Sequence, residues 1–152
     1  MSEQIDPKDE IGRLMALPKA YFGTLAMREG GKYPFVSLVI PALDGGGSPL
    51  LLLSDLSDHV KNLGNDRNAS LLFDGTDGRA EPLTGPRVTL LGTVAVTMSG
   101  EDKDAYLTRR PAAELYAGFG DFRFYRFALQ EALLVAGFGR IHRLSASDLQ
   151  LT

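Results

Sequence analysis

Short apolar stretches separated by glycine-bearing turns constrain the fold of this chain more than any other feature of its sequence. Residues 21–27 and 35–42 are apolar and rich in β-branched and aromatic side chains, and Arg28-Glu29-Gly30-Gly31-Lys32 between them reads as a hairpin turn. A second turn, 44–49, holds three consecutive glycines and leads into the leucine run 50–54. Strand-like segments follow at 69–74 and 87–98, and Gly92 inside the latter predicts a bulge or a bend at a barrel corner. An aromatic-rich segment, 119–128, precedes a further strand at 132–138, which 139–144 continues after a kink. Helical signals are fewer. Asp6-Pro7 caps a helix with Ile11, Leu14 and Met15 on one face, ended by Pro18. Residues 101–110 have helical polarity, and Pro111 opens a further turn to 116. The loop 75–85 is polar and reads as mobile. Six or more antiparallel strands with peripheral helices predict a mainly β protein, a small closed or partly closed barrel with a groove between strands. No linker or repeat divides the chain, so residues 1–152 are expected to form one domain.

Composition excludes several function classes. The chain has no cysteine, which removes disulfides, thiolate chemistry and cysteine-bound metal clusters. A formal charge of −3 argues against a broad nucleic-acid surface, which needs a basic face. No apolar run approaches the about 18 residues of a membrane span. The start MSEQIDPKDE is acidic and polar, unlike a secretory leader, so a cytoplasmic location is expected.

Chemistry concentrates between residues 50 and 73. Ser54, Ser57, Asp58, His59, Lys61 and Asn62 fall within nine positions, where an apolar strand passes into a short helix. At a helix N-terminus that density reads as a cradle for a phosphorylated ligand, because exposed N–H groups and the helix dipole favour an anion. Arg87, opening the strand after the long loop, could reach the same ligand with a forked guanidinium. Plainer readings stand beside these. Ser54 serves equally as a turn hydroxyl, His59 as a surface histidine, Lys61 as a solvated helix residue, and Arg87 as a strand-end charge. The dinucleotide fingerprint G-x-G-x-x-G is missing, as are a Walker loop and a G-x-S-x-G elbow. His59 and His142 are the two histidines, and no metal site is expected. Arg109-Arg110 reads as a solvated helix end.

Four segments in order, PFVSLVIPALDGGGSPLLLLSDLSDHVKNL, DRNASLLF, GPRVTLLG and DFRFYRFALQEALLVAGFGRIHRL, carry a resemblance. From about Leu14 to Leu144 the chain resembles the pyridoxamine 5′-phosphate oxidase-like FMN-binding split-barrel superfamily, in the branch containing heme-utilisation proteins. The resemblance implies a six- to seven-stranded antiparallel split β-barrel and a homodimer with FMN across its interface. Val36, Ser37 and Leu38 would lie beside the isoalloxazine edge, with Ser54, Ser57, His59 and Lys61 toward the phosphate. Arg87 falls at a polar ring-contacting position, and Phe138 and Arg140 would approach from the partner subunit. The oxidases carry an arginine–lysine pair at the strand–helix crossing, where this chain has Asp58-His59-Val60-Lys61. Their C-terminal arginine–histidine signature has only a loose echo in Arg140-Ile141-His142-Arg143.

Three functions follow as expectations. The first is an FMN-dependent oxidoreductase acting on a small molecule, the flavin supplying the redox chemistry and no side chain assigned as catalytic. The second is a heme-binding or heme-degrading protein on the same barrel, with His142 or His59 as iron ligand. The third is a non-catalytic flavin-binding module.

Overall fold

The computed structural model describes residues 5–151, so the polar start at residues 1–4 lies outside the described residues. Helix α1 (Pro7–Met15) begins at Asp6, whose carboxylate accepts the Lys8 N–H at 2.9 Å. It lays Ile11, Leu14 and Met15 on the core. Strands β1 (Ala20–Arg28) and β2 (Gly31–Val39) form the expected hairpin, paired along their full lengths. The predicted strand 35–42 divides, because Pro41 lacks the N–H a ladder needs; β2 ends at Val39, and β3 (Ala42–Leu43) is separate. Strand β4 (Pro49–Ser54) leads into helix α2 (Asp58–Asn65) and then β5 (Asn68–Asp74). Strand β6 (Arg87–Val96), helix α3 (Gly100–Arg109), helix α4 (Glu114–Ala117), and strands β7 (Phe122–Gly137) and β8 (Arg140–Ser145) complete the order.

The described residues form an eight-stranded sheet in the order β2-β1-β5-β6-β7-β4-β3, with β8 also on β7. Every pairing is antiparallel. Strand β7 explains the split. One edge of it pairs β6 from Tyr125 to Val135, while its other edge pairs β4 at Phe122–Arg126 and β8 at Glu131–Gly137. At the other end, β1 meets β5 over only three residues, Tyr21 to Gly23.

Sequence reading expects an aromatic-rich segment and then a separate strand where β7 is continuous. The reason is a bulge: Leu91 pairs Glu131 but Gly92 pairs Leu129, leaving Gln130 without a β6 partner. Before the bulge Tyr125 and Phe127 point inward; after it Ala132 and Leu134 do. The extra residue changes the parity of the alternation, so a pattern search sees two segments. Gly92 sits where the bend was expected. A Cβ there would fall on the Ala128 carbonyl oxygen, well inside contact distance, and 2.8 Å from the Phe127 ring. The predicted kink before residue 140 is instead a tight turn reversing the chain into β8, with Gly139 at φ 70°.

The leucine run of β4 is buried on both faces. Leu51 and Leu53 join the main core, whereas Leu50 and Leu52 join a smaller cluster with Ala42, Tyr106 and Ala113 beneath α3. Arg109 is exposed at the helix end, as expected, but it and the half-buried Arg110 also bond the chain: their Nε atoms donate to the carbonyls of Leu43 at 2.7 Å and Pro41 at 3.0 Å, tying α3 to the segment after β2. Among the described residues, no helix is long and apolar enough to cross a membrane.

Candidate functional site

A groove of about 350 Å³ opens where β2, β4 and the start of α2 face α3, α4 and β7. Leu38, Val39 and Ile40 line it from the β2 side, Leu52 and Leu53 from β4, and Tyr106, Tyr116 and Phe122 from α3, α4 and β7. Ser54, Ser57 and His59 supply its polar end. The volume is at the small end of ligand pockets, which run about 300–1,000 Å³. Tyr106 is buried and donates its hydroxyl to the Ile40 carbonyl at 2.7 Å, fixing the two sides to each other.

His59 is the chemically distinctive group in this groove. It is half-buried, its ring stands edge-on to Phe22 at 5.7 Å, and its Nδ1 is 2.9 Å from the Ser37 hydroxyl. Burial holds its pKa below the ordinary imidazole value, partly opposed by the neighbouring Asp58 carboxylate. Burial therefore favours the neutral ring, and Nε2 has no hydrogen-bond partner among the described residues.

The sign of the resulting pH dependence follows from proton uptake. Between the ordinary imidazole value and the lowered folded one, the unfolded chain carries a proton at His59 that the folded chain does not. Stability therefore falls as pH drops through that window. Urea unfolding at pH 7.5 and 5.5 is expected to show a larger acid loss in the wild type than in His59→Gln. Equal losses in the two proteins would contradict it.

The cradle residues are already occupied. Ser54 Oγ donates to Asp121 Oδ2 at 2.7 Å and accepts from the Leu56 N–H, and Ser57 Oγ donates to the Ser54 carbonyl at 2.6 Å. Although Ser57 is the N-cap residue of α2, its side chain makes no capping bond. Asp55, Asp58 and Asp121 surround this end; Arg123, at 3.1 Å, is paired to Asp55.

Leu38, Ser54, Ser57 and His59 thus meet at one groove, with Ser37 behind the imidazole. Val36 and Lys61 are exposed and do not line it. Arg87 lies elsewhere: its Nη1 donates to the carbonyls of Leu83 and Gly85, folding the 75–85 loop back on β6. Phe138 and Arg140 are exposed at the β7–β8 turn, where Arg140 donates to the Ala136 carbonyl. Arg140 and His142 line a separate cavity of about 370 Å³ beside Ile5, Pro7 and Glu10. The lining residues not anticipated are Val39, Ile40, Leu52, Leu53, Tyr106, Tyr116 and Phe122, since the groove draws on segments more than 60 positions apart, as in the Tyr106–Ile40 bond spanning 66. No local pattern announces them.

Comparison with known proteins bears on the ligand. The non-canonical heme oxygenase HOZ of Arabidopsis thaliana chloroplasts is 38% identical over 109 residues, covering 69% of this chain and 32% of that protein. The heme binding protein from Mycobacterium smegmatis superposes with a TM-score of 0.84 at 27% identity, over 98% of this chain and 62% of that one. This chain therefore spans about a third of the plant relative's length and under two thirds of the mycobacterial one. A pyridoxinephosphate oxidase family protein from Clostridium acetobutylicum, related to general stress protein 26, shares the fold. Its TM-score is 0.67 at 16% identity, over 95% of this chain and 99% of that one. The split-barrel resemblance holds, but the expectation of FMN is overturned. The plant and mycobacterial relatives are named for heme, and the hydroxyls meant for a flavin phosphate are spent on the Asp121 carboxylate and the Ser54 carbonyl. A sequence model of the CREG β-barrel matches residues 19–150, and the chain belongs to that family.

Proposed function

We propose that this chain binds heme in the β2–β4–α2 groove, where the His59 imidazole would hold the iron. The observation that carries the reading is a half-buried imidazole lining an apolar groove, hydrogen-bonded at Nδ1 and without a hydrogen-bond partner at Nε2 among the described residues. Iron takes such an imidazole as a proximal ligand, and the flat macrocycle needs apolar walls rather than a phosphate cradle. The names of the plant and mycobacterial relatives support the choice of ligand. His142, the other histidine, is exposed on β8 away from the groove.

Hemin titration tests this. The expected result is a stoichiometric Soret shift in the wild type and in His142→Ala. In His59→Ala, binding weakens beyond the about 10–100-fold that loss of a ligand's supporting partner costs. A wild type without a shift, or a loss confined to His142→Ala, would overturn it. The plant relative's name extends the proposal to oxidoreductase chemistry with the bound porphyrin as substrate. Decay of the Soret band on adding reductant in air is its signature, and a persistent band marks a binding protein instead.

The homodimer enters the same proposal through β2. This strand lies at one end of the sheet path, and its outward residues Val36 and Leu38, with Ile40 just past its end, are 68%, 60% and 49% exposed. A water-facing sheet surface is ordinarily polar, so this stripe suits a second copy of the chain. Leu38 and Ile40 also line the groove, so a copy seated on the stripe would cover it. Light scattering is expected to give a dimer for the wild type and a folded monomer for Val36→Glu with Leu38→Glu. A monomeric wild type at micromolar concentration would sink this part.

A further inference from the structure

We infer that Ser37 is a positioning residue for His59: its hydroxyl accepts the Nδ1 proton and so fixes the tautomer whose Nε2 lone pair faces the groove. The inference rests on the heme reading, and goes beyond it by naming what makes the imidazole a ligand.

Three placements converge on the ring. Ser37 and Phe22 are register partners across the β1–β2 hairpin, so strand pairing alone puts hydroxyl and phenyl side by side. The phenyl meets His59 edge-on at 5.7 Å, restricting tilt, while the hydroxyl at 2.9 Å from Nδ1 restricts rotation about the Cβ–Cγ bond. One turn further along α2, the buried Asn62 amide donates to Thr24 Oγ1 at 3.0 Å, on the same strand as Phe22. The helix cannot shift along β1 without breaking that bond.

The alternation of β2 accounts for the choice of residue. Phe35, Ser37 and Val39 turn toward the protein, and Ser37 is the one polar residue among them. Among the described residues its Oγ makes one hydrogen bond, the one to His59 Nδ1, in which either group could donate; the half-buried hydroxyl can accept there and turn its own proton to water. A neutral imidazole carries its proton on one nitrogen, and the partner at Nδ1 decides which remains available to a metal. If Ser37 donated instead, Nε2 would carry the proton and could not ligate iron. Partners of this kind around ligating histidines typically change metal affinity by about 10–100-fold when removed.

The test begins without heme. Nitrogen-15 NMR of the His59 ring in the purified protein is expected to show the Nδ1–H tautomer in the wild type and in Ser37→Thr. Ser37→Ala should shift toward the Nε2–H form. Hemin titration should then show about 10–100-fold weaker binding for Ser37→Ala, with affinity restored in Ser37→Thr. A wild-type ring in the Nε2–H form overturns the inference, as does a Ser37→Ala protein matching the wild type in both measurements. If the wild type takes up no hemin, the heme reading fails. The role of Ser37 in setting the ring then stands or falls on the heme-free spectrum.

Discussion

Gly92→Ala is expected to lose about 3 kcal/mol of unfolding free energy, at the upper end of overpacking costs in a well-packed core. The added methyl meets backbone: the Ala128 carbonyl oxygen lies in its place and the Ala128 carbonyl carbon at 3.0 Å. A side chain could rotate away, but here the β6–β7 ladder itself must open beside the Gln130 bulge. At about 2–4 °C per kcal/mol for a chain of this size, the melting temperature should fall by about 6–12 °C. Ala95→Gly, on the exposed side of the same strand, serves as the control for strand propensity. A Gly92→Ala protein melting within a degree or two of wild type would show that the bulge yields freely.

Arg126→Met is expected to cost about 3–5 kcal/mol, because it strands two carboxylates rather than one. The guanidinium contacts Asp44 Oδ2 at 2.6 Å and Asp102 Oδ1 at 2.5 Å. Both acid side chains are buried, at 10% and 8% exposed, while Arg126 itself is 32% exposed and places the effect toward the lower figure. Asp102 also accepts the Thr97 hydroxyl at 2.6 Å, and Asp44 organises the glycine turn through the Gly46 and Ser48 N–H groups. Burial pushes the Asp102 carboxyl up, but the bonds from Arg126 and Thr97 outweigh it and hold it below the ordinary carboxylate range. Chemical unfolding of Arg126→Met, Asp102→Asn and the double variant checks the assignment. The double variant should lose clearly less than the sum of the singles, because the second change removes the charge the first one strands. Strict additivity would mean that the pair is not coupled.

Local chemistry made much of the fold legible. Alternation reveals Ala69, Leu71 and Phe73 as the inward face of β5 and Val88, Leu90 and Val94 as that of β6. The Asp6-Pro7 helix start also follows directly from capping chemistry. The continuity of β7 was hidden, since one extra residue inverts its inward face. The site was half legible. Residues 54–62 do mark the groove, but hydroxyls crowding a helix start look alike whether they await a phosphate or satisfy one another. The difference is made by Asp121, which lies 67 positions from Ser54. Likewise His59 is visible in sequence, whereas its partner Ser37 lies 22 positions upstream and becomes meaningful only through the β1–β2 register.

The same separation has a consequence for biosynthesis. Strand β4 pairs only with β3 and β7, and its partner residues on β7 begin at Phe122. A nascent chain exposes His59 and the leucines of β4 well before the strand that covers them has been made. Pairing over such distances is also intrinsically slow, because loop closure precedes the contacts that reward it. Until β7 docks, those leucines are candidates for chaperone capture or aggregation. The groove is thus complete only once the β7 segment has been made, since β4 reaches its lasting place beside Tyr106, Tyr116 and Phe122 by pairing with β7.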